Sequence, residues 1–346
     1  MQFNPERFAL HRQAKGMSQG AAAKALGVSQ GRISKVENGA LRPSDQLLID
    51  AAQEFGVQRE AFFGEDVERG LPAISFFRKQ KTMGMRETRK TEARFSIIRQ
   101  VVISLAAGLV ELADRRVPRI PVSTPGETPA SIAQRVRTFF QAAAGPLLGL
   151  TRMMESAGII IVPFVDTHAK FDAVSCASPD GRLDIVAVKP GLAPDRYRFS
   201  IAHELGHLVM HTMPSETIED EANQFAAELL MPAEDIESDL TSITIPHLME
   251  LKRKWQVAMS ALIYRAKSLG LVSEWKARNA YITMSTYGFR KKEPVELPRE
   301  EPQLFTTLIV RHLAGGKTFD DIAAQVGLLP TTMAREFAPV LPAGLR

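Results

Sequence analysis

Residues 201–211, IAHELGHLVMH, constrain this chain more than any other stretch, because three histidines recur at every fourth position of a half-apolar segment. Side chains at i and i+4 share one face of a helix. His203 and His207 can therefore aim at one atom, with His211 a turn further along. Ile201, Ala202, Leu205, Leu208 and Val209 supply an apolar stripe that must be buried against something. The runs IIIVPFV from 159, FDAVSCAS from 171 and LDIVAVK from 183 read as strands, the last two joined by a turn at Asp180 and Gly181. A small sheet backing the motif helix, an α+β arrangement, is the expected solution. Two helices, PASIAQRVRTFFQ and GPLLGLTRMMESAG, are expected ahead of the sheet.

The segment HELGH fits H-E-x-x-H, in which two imidazoles hold a metal ion and the glutamate after the first acts on a water at that ion. His203 and His207 are the candidate ligands and Glu204 the candidate general base. Zinc, one per chain, suits two imidazoles and a carboxylate, with ions such as manganese as alternatives. His211 does not complete the set. Eight residues of helix rise about 12 Å, too far for one ion to bond positions 203, 207 and 211, so His211 is read as a helix-end or ligand-orienting group. The next helix, SETIEDEANQFAAELLMP, has Ala222, Phe225, Ala226, Leu229 and Leu230 as its stripe. Glu219 and Asn223 lie along the edge of that stripe, while Glu221 and Glu228 project to the far side. A charge turned towards a core needs a partner, so Glu219 is the preferred third ligand, Glu221 the alternative, and Asn223 the group that orients a ligand.

The N-terminal third has another character. Residues 1–120 hold 20 Lys and Arg against 13 Asp and Glu, while the remainder of the chain holds 23 against 26. Basic charge confined to one part points to an anionic partner for that part. Within it, short helical bursts are punctuated by Gly16, Gly27, Gly39 and Gly56. Ser18 is placed to cap a helix through Ala25, LGV makes a tight turn, and Ser29 caps a second helix through Glu37. Two such helices form a helix-turn-helix whose second member enters the major groove. Gln30, Arg32, Ser34 and Lys35 are the candidate base contacts, Gln19 and Arg42 the candidate phosphate contacts. The basic stretch from 76 to 95 reads as a solvated helix, with Arg78, Lys79 and Lys81 as further phosphate candidates, and PRIPVSTPGETP as a proline-rich linker.

Two resemblances follow from these motifs. Ser18-Gln19, LGVSQGRIS, Glu37-Asn38-Gly39 and Pro43 resemble the phage-repressor-like XRE family of helix-turn-helix domains. RFSIAHELGHLVMH, with ExxAN, FAAELLMP and LKRKWQVAMSALIYRAKSLGLV after it, resembles the ImmA/IrrE family of zinc metallopeptidases. The second resemblance implies a zincin-like fold, zinc on His203, His207 and Glu219, catalysis by Glu204, and cleavage of helix-turn-helix repressors to release phage-like or stress-response genes. The expected organisation is multidomain: an all-α XRE domain over 1–65, a basic helical connector and linker over 66–124, an α+β metallopeptidase domain over 125–240, and a helical region over 241–346. That last region repeats the helix-turn-helix rhythm around Trp255 and again over 315–337. Trp255, Tyr264 and Trp275 are read as core or interface aromatics.

Composition narrows the classes further. The most apolar stretch, VVISLAAGLVEL, is too short to span a bilayer, and the single cysteine, Cys176, excludes an internal disulfide framework and suits a reducing cytoplasm. No secretory leader is read at the start. Expected partners are double-stranded DNA, a repressor protein as proteolytic substrate and a second copy of the chain, with no membrane. The competing class is a DNA-binding regulator or antitoxin-like protein whose zinc site senses or stabilises without cutting peptides.

Overall fold

The computed structural model describes residues 2–64, 84–107, 116–165, 171–178, 183–213 and 215–345. Arg78, Lys79, Lys81 and the turn at Asp180 and Gly181 lie outside the described residues. The chain divides into two compact units that do not follow chain order. One gathers residues 1–112, 160–171 and 303–346, the other 113–159 and 172–302.

In the first unit, α1 (Pro5–Ala14), α2 (Gln19–Ala25), α3 (Gln30–Glu37) and α4 (Asp45–Phe55) follow one another with short turns. Each start is chemically marked: Asn4, Ser18, Ser29 and Ser44 accept hydrogen bonds from backbone N–H groups of the first turn, satisfying donors that the helix itself leaves unpaired. Gly27 closes the α2–α3 turn at φ +64°, a left-handed conformation that costs other residues about 1–2 kcal/mol. Phe8, Ala22, Ile33, Val36, Ala51 and Phe62 form the core, with the Phe8 and Phe62 ring centroids 5.2 Å apart. A bidentate ion pair from Arg12 to Glu37 ties α1 to α3, its second contact at 2.8 Å.

The basic segment after this domain is one helix, α5 (Met85–Ala106), and it is not a solvated connector. Ala93, Phe95, Ile98, Val101, Val102 and Leu105 are buried along it, and Ala93 packs with Leu10 and Ala14 of α1. The apolar run from about 95 reads as a buried helix in the sequence; the structure carries that buried face back to Thr91 and Ala93, beneath the charge of the exposed face.

The second unit holds α6 (Pro129–Phe139), α7 (Leu150–Ser156), β2 (Ala173–Cys176), β3 (Asp184–Val188), the motif helix α8 (Pro194–Met210), α9 (Ile218–Leu230), α10 (Ala233–Ile236), α11 (Ile245–Trp255), α12 (Met259–Ser268) and α13 (Glu274–Thr286). A further strand is β1 (Ile159–Pro163), and β2 runs antiparallel to β3 with Ala173 opposite Val188 and Cys176 opposite Ile185. Cys176 is buried there. The expected helix over 145–158 is shortened to α7, because Gly145 and Gly149 both take positive φ.

The proline-rich segment is likewise structured. Ile120 N and Val122 N donate to the carbonyls of Val209 and Met210 at 2.9 and 3.3 Å, and Arg119 donates to Leu208 O and Asp184. These bonds satisfy carbonyls that a helix C-terminus leaves open. Glu228 departs from the expected far side of α9: it is 3% exposed and ion-paired with Arg265. Lys252 is equally buried between Asp195 and Glu293. Trp255 is a core residue whose indole N–H donates to Asp239 at 2.7 Å. Tyr264 and Trp275 are exposed and are not core.

Back in the first unit, α14 (Leu304–Ala314), α15 (Phe319–Gln325) and α16 (Pro330–Phe337) reproduce α1–α3 with a constant offset of 300 residues. Met17 N bonds Arg12 O at 3.2 Å, as Lys317 N bonds His312 O at 3.2 Å; Val28 N bonds Ala23 O at 3.0 Å, as Leu328 N bonds Ala323 O at 2.9 Å. Gly27 and Gly327 turn at φ +64° and +74°. The second copy leans on the first: Gln58 N donates to Gly327 O at 2.9 Å and Leu329 N to Gly56 O at 3.3 Å. Its surface chemistry has changed, however. Where the first copy has Gly20, Ala21, Gln30 and Arg32, the second has Asp320, Asp321, Pro330 and a buried Thr332.

Gly56 tests this packing. Its φ is +72°, and a Cβ there would lie 2.5 Å from Thr332 Oγ1, whereas a Cβ at Gly27 meets nothing within 4 Å. Gly27→Ala is expected to cost only the left-handed term of about 1–2 kcal/mol. Gly56→Ala should cost more, read as a lower Tm in thermal melts of the two variants.

Candidate functional site

The motif helix is built to turn one face inwards. Its start is set by Pro194 at the first position, where a missing N–H is harmless, and Ile201, Ala202 and Leu205 are fully buried. His203, Glu204 and His207 follow that face, being 9%, 1% and 3% exposed, with one donor atom of each within 4.8 Å of the others. The two Nε2 atoms of His203 and His207 are 3.0 Å apart.

The protons can be assigned from the partners. His203 Nδ1 donates to Asn223 Oδ1 at 2.9 Å, which leaves its Nε2 as a lone pair. Burial, then His207, lower the pKa of His211 to about 4, so His211 is neutral near pH 7. Its Nε2 lies 3.1 Å from Glu221 Oε2 and must carry the proton. Its Nδ1 therefore accepts, and His207 Nδ1, 2.9 Å away, donates. His207 Nε2 is then also a lone pair. Two imidazole lone pairs facing each other at this distance repel unless a cation lies between them.

Helix α9 adds a carboxylate to the same point. Glu219 Oε1 is 3.5 Å from His207 Nε2, and its Oε2 is 3.7 Å from His203 Nε2. Two imidazoles and a carboxylate so placed are donors of the kind that could hold zinc. Glu221, the alternative third ligand, is instead engaged with His211 and with Thr217 Oγ1 at 2.7 Å. Asn223 sits on the His203 ring as the sequence suggested.

Glu204 is held from β2. Its Oε2 accepts from Ser175 Oγ at 2.7 Å, and Ser175 is 1% exposed on β2. Sequence reading missed Ser175 because a serine inside a short strand carries no local signal of contact 29 positions on. The approach of α9 to α8 depends on Gly206, where a Cβ would lie 2.9 Å from Phe225 Cδ1.

The helix-turn-helix forms a second, separate surface. Gln30, Arg32, Lys35 and Arg42 are exposed, and Ser34 is half-buried. Gln19 is anchored: its amide donates to Glu37 Oε2 at 2.9 Å and accepts from Gln30 Nε2 at 3.1 Å. Glu37, held by Arg12, thereby positions the first turn of α3.

Residues 156–267 match the family model of the IrrE N-terminal-like domain, Peptidase_M78, and residues 9–62 match a helix-turn-helix model. No curated protein matches the chain.

Gly206→Ala is expected to push α9 off α8 and separate Glu219 from the two imidazoles. An overpacked contact of this kind costs about 1–3 kcal/mol. A lowered Tm, with Leu205→Met nearly neutral as the volume-conserving control, checks it.

Proposed function

We propose that this chain is a DNA-binding regulator carrying a zinc-dependent endopeptidase, and that its substrate is a helix-turn-helix repressor protein. The observation that supports this reading most is the pair of facing imidazole lone pairs beside an inward carboxylate, with a further glutamate, Glu204, left outside the ligand set. A purely structural site has no need of a free base beside it. His203, His207 and Glu219 would hold the ion. Bound there, zinc supplies Lewis acidity and lowers the pKa of water.

The chain's own groups do the rest. Glu204 takes the proton of the attacking water and returns it to the leaving amine as the peptide C–N bond breaks. Ser175 donates to one carboxylate oxygen of Glu204 and so keeps the other turned to the reacting atoms. Asn223 and His211 hold the ring tautomers that keep both Nε2 atoms as donors to the metal. The N-terminal domain supports DNA binding, with α3 in the major groove and two copies of the chain on adjacent half-sites. No helix among the described residues is long and apolar enough to cross a membrane. Action in the cytoplasm, on a substrate that itself occupies DNA, fits a peptidase linked to such a domain.

Glu204→Gln should keep about one zinc per chain by native mass spectrometry while repressor cleavage falls at least a hundredfold. His203→Ala and Glu219→Ala should lose zinc. Zinc retained with undiminished cleavage in Glu204→Gln would instead leave the site a sensory or structural one. For the DNA-binding half, Arg32→Ala should weaken binding to a selected operator by about 1–3 kcal/mol in anisotropy titrations, whereas Asp320→Ala in the second copy should leave it unchanged.

A further inference from the structure

A cavity of about 260 Å³ lies inside the first unit, where α1, α4, α5 and the second helix-turn-helix copy meet. Its walls are of two kinds. Ala14, Phe55, Val57, Ile97, Leu328 and Phe337 make an apolar interior, while Lys15, Lys90, Arg94 and Arg335 bring four cations to it. Glu336 is the carboxylate in the lining, shared between Arg94 and Arg335, and Glu54 acts on Lys15 from beside it. Burial, then Arg335, lower the pKa of Lys15, with Glu336 and Glu54 acting against them.

His11 is a second and independent feature. It lines the cavity at 5% exposure, its ring edge against Phe62 at 5.9 Å. The Ala61 backbone acts on the ring and raises its pKa, but burial, then Arg7, outweigh it and bring the value to about 4, and neither ring nitrogen has a partner in full hydrogen-bond geometry. A buried neutral imidazole whose two ring nitrogens are not both well paired is costly. A ligand hydroxyl or amide in the cavity would satisfy it.

We propose that this cavity is a binding site for an amphipathic anion: a carboxylate or phosphate head on Lys15 and Arg335, and an apolar body carrying one hydrogen-bonding group that meets His11. Size sets the body. A cavity of about 150 Å³ lined by aliphatic side chains holds benzene, so this volume takes roughly ten carbon-sized atoms. Helix α1 places the site in contact with DNA recognition, since it carries His11 and Lys15 on one side and, through Arg12, holds Glu37 of α3.

The test is calorimetric titration of the full-length protein with 3-hydroxydecanoate, decyl phosphate and decyltrimethylammonium. Saturable binding of either anion, with the cation at least tenfold weaker, is expected. The exposed Arg335→Gln change combined with Lys15→Gln should weaken anion binding at least tenfold, and His11→Phe should remove the advantage of 3-hydroxydecanoate over decanoate titrated alongside it. Equal binding of cation and anion, unchanged affinity in the Lys15→Gln/Arg335→Gln variant, or no saturable binding of either anion would overturn the proposal. A melting curve matching that of the unchanged protein establishes that each variant is folded.

Discussion

Two imidazole nitrogens 3.0 Å apart in a dry interior need a proton or a metal cation between them, and the neighbouring groups of the second unit bear on that constraint. The tautomers that create it are imposed from outside the pair. Asn223 takes the Nδ1 proton of His203, and the neutral His211 takes that of His207 before passing hydrogen-bonding on to Glu221. His211 can do so because it leaves the helix in extended backbone with φ −111°, at a helix end whose carbonyls are bonded by Ile120 and Val122. The segment 117–124 therefore acts on the site by ending α8 where it does.

Buried charge is a recurring device in the same unit. Lys252 between Asp195 and Glu293, Arg265 with Glu228, and Arg198 with Glu300 are each taken from water and paired. Such pairs add little net stability, yet removing one partner costs about 3–5 kcal/mol. They specify which helix meets which. Asp195 and Arg198 lie on the motif helix itself, and Glu228 lies on the helix that brings Glu219, so the pairs fix the elements that carry the donors.

The first unit solves a different problem with a repeated part. Its two ends use one three-helix arrangement with the same turn glycines and cap positions. The first exposes Gln30, Arg32 and Lys35 on its last helix; the second has Pro330 and a buried Thr332 in place of Gln30 and Arg32, and places Asp320 and Asp321 at the start of its middle helix. A shared backbone geometry with diverged surfaces is what packing allows: buried positions set the fold, exposed positions are free to change.

The sequence by itself determined whatever depends on spacing within one helix or one turn. That covers the inward face of His203, Glu204 and His207 and the caps at Ser18 and Ser29; helix period also motivates the proposed metal roles of Glu219 and Asn223 and the reading of His211 outside the ligand set. These follow from helix period and from the chemistry of unpaired N–H groups, both local. Only the tertiary structure decided which distant groups meet: Ser175 on Glu204, Arg265 on an inward Glu228, α5 packed on α1, and residues 303–346 gathered with the N-terminal domain. Those pairings depend on how apolar faces close over one another across tens to hundreds of residues, and no periodicity within a segment carries that information.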